Sequence, residues 1–198
     1  TVLLLDEPFA NLDKTLRLLL FEDLIPLFKE RNITVIWVTH NTEEALRFSD
    51  QLVLLNHGRL IQKGTPKELY FTPKNMFCAN FFGETNIIAS KIENESEVNL
   101  DVKLFGKVIT IPRPAKFKTQ EHKDCLVVLK AESLIPKIGG DLTGKVSKNH
   151  FLGAYSLLEL EINKTHVWCK IPSADNYEIG AIIELILNTS SIHCLSEV

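Results

Sequence analysis

An unbroken apolar run, Val2-Leu3-Leu4-Leu5, ends abruptly in Asp6-Glu7-Pro8. A run with no polar alternation suits a parallel strand covered on both faces. Open α/β sheets place ligands just beyond the carboxyl ends of such strands. Asp6 and Glu7 sit at that end, and Pro8 stops the strand. In nucleotide hydrolysis an aspartate at a strand end helps hold the metal ion that neutralises phosphate charge. A second carboxylate beside it can orient and polarise the attacking water. The same pair also suits a solvated strand end.

The residues that follow build a strand–helix–strand unit. Asp13 is placed to cap a helix running to about Glu30, with Leu12, Leu16, Leu19, Leu20, Phe21, Leu24, Leu27 and Phe28 as a broad apolar face. Pro26 is expected to kink or end that helix. Arg31-Asn32 then turns the chain into a second apolar, β-branched strand, Thr34 to Thr39. A right-handed crossover makes the two strands parallel and usually neighbours. Their carboxyl ends then share one edge, which brings His40 toward Asp6 and Glu7.

The segment Leu3 to Asp13, read as Leu-Leu-Leu-Asp-Glu-Pro-Phe-Ala-Asn-Leu-Asp, closely resembles the Walker B strand and D-loop of ATP-binding-cassette (ABC) ATPases. The resemblance continues through Val38-Thr39-His40-Asn41-Thr42-Glu43-Glu44-Ala45-Leu46, which is similar to their switch-histidine segment. It extends to Asp50, Gly58-Arg59, Gly64-Thr65-Pro66 and Phe82-Gly83-Glu84-Thr85-Asn86. The chain looks like the C-terminal half of an importer ATPase subunit of the type serving ferric iron, polyamines and maltose.

This resemblance implies ATP and Mg²⁺ as cofactors. Asp6 would hold Mg²⁺ through its water shell, and Glu7 would be the catalytic base or water-orienting carboxylate. Asp13 would belong to the D-loop that communicates across a dimer, and His40 would contact the terminal phosphate of ATP. Ala10 stands where the family often has serine, and Asn41 where it commonly has aspartate. The implied partners are transmembrane permease subunits, a second copy of the ATPase and, indirectly, a periplasmic or surface solute-binding protein. The implied place is the cytoplasmic face of the membrane, held peripherally. The P-loop, glutamine loop and signature motif of the family are not among these 198 residues. The chain, which opens without Met one residue before an apolar strand, reads as a fragment. An inert remnant acting as a binding or regulatory module is therefore the alternative to an ATPase subunit.

Asn41 or Thr42 is expected to cap a short helix over 42–48, and a hairpin is expected around His57-Gly58. Thr65-Pro66 should open another helix, and a further one is expected over about 74–82. Its Met76, Phe77, Phe81 and Phe82 are read as core. From about Asn86 short alternating or apolar runs take over, at 99–104, 107–111, 125–129, 142–146, 156–162, 166–171, 182–187 and 192–195. They predict a small, β-rich, OB-like barrel. Gly144-Lys145-Val146 and Phe151-Leu152-Gly153 resemble elements of the TOBE extension of this importer group, whereas Leu129-Lys130-Ala131-Glu132 only loosely meets its Val-Arg-Pro-Glu. The expected fold class is thus α/β, part of an ABC ATPase domain over 1–85 and a TOBE-like β domain over 86–198.

Gly139-Gly140-Asp141-Leu142-Thr143-Gly144-Lys145 satisfies the first seven positions of a P-loop pattern, but Val146 lacks the hydroxyl for magnesium. A P-loop must also open a helix so that its amides cradle phosphate. Lys145 onward reads as strand, so this is not a nucleotide cradle. The net charge of −3 argues against a nucleic-acid partner. Lys116, Lys118 and Lys123, offset by Glu121 and Asp124, read as a solvated loop. His122, His150, His166 and His193 are too dispersed for a zinc site. Cys78, Cys125, Cys169 and Cys194 lack a C-x-x-C pair; the spacing leaves disulfides open, and reduced, mostly buried thiols fit better. No apolar run approaches the roughly 18 to 20 residues that span a bilayer.

Overall fold

The computed structural model describes residues 1–115, 117 and 124–195. The chain packs as two compact units, Thr1–Lys67 and Glu68–Val198.

In the first unit, β1 (Val2–Asp6) pairs in parallel with β2 (Thr34–Val38), joined by α1 (Lys14–Glu30). Asp13 caps α1, its carboxylate accepting from the Leu16 amide at 3.0 Å. Pro26 lies inside α1, which runs four residues beyond it to Glu30. The proline therefore does not end the helix. Phe21 of α1 is buried among Phe9, Trp37 and Phe48, with ring centroids 4.9, 5.2 and 4.6 Å away. Only one face of the β1–β2 pair is covered in this way. Val2, Leu4, Ile36 and Val38 are exposed, which corrects the expectation of a strand covered on both faces. Alternate residues of a strand point to opposite faces, and α1 lies against one of them. The unit continues with α2 (Thr42–Phe48) and the hairpin β3 (Leu52–Asn56) and β4 (Arg59–Gly64). His57 (φ 46°) and Gly58 (φ 70°) make its turn, both in the left-handed region that a two-residue hairpin turn requires.

The second unit starts with α3 (Pro66–Phe71) and α4 (Met76–Phe81), whose Asn75 cap accepts from the Cys78 amide. Among the described residues ten strands follow: β5 (Thr85–Glu95), β6 (Asn99–Leu104), β7 (Lys107–Pro112), β8 (Asp124–Lys130), β9 (Leu134–Pro136), β10 (Leu142–Phe151), β11 (Tyr155–Ile162), β12 (Thr165–Pro172), β13 (Ile182–Leu187) and β14 (His193–Leu195). They form two five-stranded antiparallel sheets, β14-β8-β5-β6-β7 and β12-β11-β10-β13-β9. Leu100, Val127 and Leu129 from the first and Leu158, Leu160 and Leu185 from the second share one core. The buried side chain of Asn86 links the sheets. It accepts from the Trp168 amide at 2.7 Å and donates to the Trp168 carbonyl at 2.8 Å. The α/β class with a small barrel-like β domain is as the sequence predicts.

One detail differs from that reading. Ala79 of α4 packs on Leu126, Val128 and Leu195, and Cys78 and Phe82 are buried, but Met76, Phe77 and Phe81 are exposed. A six-residue helix lying on a sheet can bury only one side. As the sequence predicts, the P-loop-like stretch runs into a strand; in it Gly140 and Gly144 are closely packed, while Gly139 takes φ 77°. Lys145 lies in β10, paired with Glu161 and Ile182, and Gly140 is pressed against the backbone of Leu185. A Cβ there would meet the Leu185 carbonyl oxygen at 2.4 Å. Gly140→Ala is expected to cost about 2–3 kcal/mol through overpacking against rigid backbone, read as a lower urea midpoint. An unchanged midpoint would mean that the β9–β13 edge yields freely.

Candidate functional site

The turn after β1 is held by backbone hydrogen bonds. The Glu7 amide donates to Val38 at 3.0 Å, extending the β1–β2 ladder by one step. The Ala10 amide donates to Glu7 and the Leu12 amide to Phe9. Glu7 itself has φ 42°, a left-handed conformation that side chains other than glycine adopt at a cost. Phe9 anchors the turn by packing edge-on against Phe21.

Asp6 is directly opposite Val38 in the parallel register. His40 therefore emerges two residues past the end of the neighbouring strand, and its Nδ1 lies 3.1 Å from Glu7 Oε1. An ionised carboxylate only accepts, so Nδ1–H is the donor. In the neutral ring this leaves Nε2 an acceptor; the imidazolium adds an Nε2–H that an anionic oxygen can accept. Both side chains are solvent-accessible. The crossover thus brings Glu7 and His40 together, although 33 positions separate them in sequence.

Asp13 is placed differently, with its carboxylate engaged in capping α1. Asn41 caps α2, accepting from the Glu43 and Glu44 amides at 3.0 and 3.2 Å. Its amide nitrogen donates to Glu44 Oε1 at 2.7 Å. Sequence reasoning passed over Glu44, which is buried, and Arg17. The Arg17 guanidinium donates to Glu44 Oε1 and to the Leu12 carbonyl, each at 3.0 Å. The signal was an arginine four residues past the Asp13 cap and a carboxylate three past the Asn41 cap.

The other candidates do not converge. His150 lies against Trp168 at 5.9 Å between ring centroids, and burial pulls the His193 imidazole down to about 4. Lys116, Lys118, Glu121, His122 and Lys123 lie outside the described residues. Among the described residues no three of His, Cys, Asp and Glu are grouped to hold a metal ion. All four cysteines are free and buried. No helix among the described residues is long and apolar enough to cross a membrane.

Lys130, at the position of the loosely met arginine, is a structural residue. Its buried ammonium donates to the carbonyls of Ala79 and Phe82 at 3.0 and 2.6 Å and to the Thr85 hydroxyl at 2.8 Å. It also faces the Tyr70 ring, 4.4 Å from the centroid.

No family model matches the chain. Curated proteins do resemble it, among them three spermidine/putrescine import ATP-binding proteins PotA. The protein from Borreliella afzelii is 34% identical over 194 residues, covering 98% of this chain and 54% of the relative. That from Clostridium acetobutylicum is 35% identical over 194 residues, 98% of this chain and 53% of the relative. That from Mycoplasma capricolum is 34% identical over 198 residues, 98% of this chain and 54% of the relative. Among solved structures, the cytoplasmic molybdate-binding protein ModG aligns with 57% of this chain and 96% of its own at a TM-score of 0.49 and 16% identity. A likeness that loose carries no argument. The chain spans about half the length of the curated relatives it matches. Over nearly its whole length the chain is thus similar in sequence to part of these spermidine/putrescine import ATP-binding proteins.

Proposed function

We propose that these residues are the C-terminal part of an ATP-hydrolysing subunit of an ABC importer, coupling hydrolysis to uptake of a small solute such as a polyamine or ferric iron. The observation that carries the reading is the meeting of Glu7 and His40, 3.1 Å apart, at the carboxyl edge of the parallel β1–β2 pair. Residues 1–85 would belong to the nucleotide-hydrolysing domain and 86–198 to a TOBE-like domain.

In this reading one oxygen of Glu7 accepts from His40, and the other is left to orient a water for attack on the terminal phosphate. His40 directs its Nε2 side to that phosphate. Its Nδ1–H bond to Glu7 fixes the ring and ties the water-orienting group to the phosphate-sensing one. Asp6, at the strand end beside Glu7, would offer a hard oxygen to hold Mg²⁺ through water. When bound, the metal would neutralise phosphate charge. Asp13, by capping α1, holds the shape of the turn that would face a second copy. The permease subunits, the second ATPase copy and a solute-binding protein are the partners this reading requires, with the subunit held peripherally at the cytoplasmic face of the membrane.

ATP turnover by the 198-residue chain, compared with a form extended upstream, tests the reading. The extended form is expected to hydrolyse ATP and the 198-residue chain not to, since its P-loop-like stretch leads into a strand from Leu142 and not into a helix. An extended form that neither binds nor hydrolyses ATP would instead favour the binding or regulatory module.

A further inference from the structure

Between the turn after β1 and the start of α2 runs a continuous polar connection. Arg17 reaches from the first turn of α1 and donates through Nη2 to the Leu12 carbonyl, one residue before the Asp13 cap. Through Nη1 it donates to Glu44 Oε1, and the same oxygen accepts from the side-chain amide of Asn41. Asn41 is the neighbour of His40. Glu44 is only 6% exposed, so its charge is costly unless both donors are present. The Arg17 Nε is buried without a hydrogen-bond partner, and Arg17 lines the same crevice as Glu7, Thr39 and His40. An arginine's planar fork can hold a backbone carbonyl and a carboxylate at once, which a lysine's point charge does not reproduce.

We propose that Arg17 is a positioning residue that couples the Phe9–Asp13 turn to His40. The guanidinium grips the backbone of the turn at one end and the buried Glu44–Asn41 pair at the other. A displacement of the turn is then transmitted to the histidine that meets Glu7. The proposal rests on the ATPase reading for its consequence, though not for the coupling itself.

The test has two arms, using Arg17→Lys, Glu44→Gln and the double variant. In the 198-residue chain, the ring-proton resonances of His40 are followed by NMR alongside the melting temperature. Both single variants are expected to shift the His40 resonances by equal amounts, with no further shift in the double. A change in melting temperature with unmoved His40 resonances would reduce the connection to a stabilising ion pair and overturn the proposal. In the full-length protein, each single variant is expected to lower kcat for ATP about tenfold with KM within about twofold, as misplacement of a reacting group does. The double variant should be no worse than either single. Losses that multiply, or an unchanged kcat beside a working wild type, would overturn the coupling and leave the ATPase reading standing. Coupled His40 shifts in a protein that hydrolyses no ATP would uphold the coupling and remove the ATPase reading.

Discussion

Replacing Glu7 by glutamine is expected to abolish ATP hydrolysis by the full-length protein while preserving ATP binding. The amide keeps the size of the carboxylate, and its oxygen can still accept from His40 Nδ1, now 3.1 Å from Glu7 Oε1. What it cannot do is take a proton from water or orient the water with a full negative charge. General-base catalysis contributes about 10²–10⁴-fold, so turnover should fall at least that far. Binding should hold or tighten, because one negative charge has left the neighbourhood of the phosphates. Single-turnover hydrolysis and equilibrium binding of labelled ATP separate the two effects. Near-normal turnover would remove Glu7 from the proposed role. Lost binding with lost turnover would mean that the residue supports the fold of the turn, where it already sits at φ 42°.

Much of this geometry could be read before any coordinates because local chemistry agreed with the pattern. An apolar run ended in acids, Asp13 and Asn41 stood at helix starts, and His57-Gly58 stood between two strands; each does locally what its residue type favours. What stayed hidden depends on contacts distant in sequence. β5, at 11 residues, is the longest strand, yet Thr85 to Glu95 carries no strong alternation. It forms because β8 and β6 pair with it on either side. The aromatic residues of α4 looked like core, and only the sheet surface beneath the helix decided which of them would be covered. Arg17 and Glu44 each looked like ordinary charged helix residues. Nothing local tells that a carboxylate will be buried against a guanidinium 27 positions away.

Lys130 is the clearest case of a residue whose role sequence could not give, and its removal should be the costliest single change in the second unit. The ammonium has three donors, and the structure supplies three acceptors, at Ala79, Phe82 and Thr85. Two of these are carbonyls at the C-terminal end of α4, where a cation also meets the negative end of the helix. Lys130→Ala would take the ammonium from the Phe82 carbonyl, leave the Ala79 carbonyl to the Thr85 hydroxyl alone and open a void beneath Tyr70, for a loss of about 3–5 kcal/mol. Lys130→Met fills the void but not the acceptors, and it also removes the cost of burying a charge. It should therefore lose less, about 1–3 kcal/mol, chiefly for the Phe82 carbonyl.

The same burial sets a pH dependence. Desolvation, opposed by Glu132 and Glu84, pulls the Lys130 ammonium down to about 8, against roughly 10.4 for a lysine in an unfolded chain. Between those values Lys130 holds fewer protons in the folded state than in the unfolded one, so its own contribution to stability rises with pH there. Burial and the Glu132 hydrogen bond push the Tyr70 phenol upward, which keeps that ring neutral across the window. Burial also pushes the Cys78 and Cys169 thiols up, and the hydrogen bond with Cys125, then burial, raises Cys194, which makes stability fall with pH in native and variant protein alike. Urea unfolding of the second unit from pH 8 to pH 10 should therefore show the native protein gaining stability relative to Lys130→Met. A native-to-methionine difference that stays constant across this range would overturn the assignment to Lys130. An alanine variant as stable as the methionine one would mean that the helix, not the lysine, seals this side of the sheet.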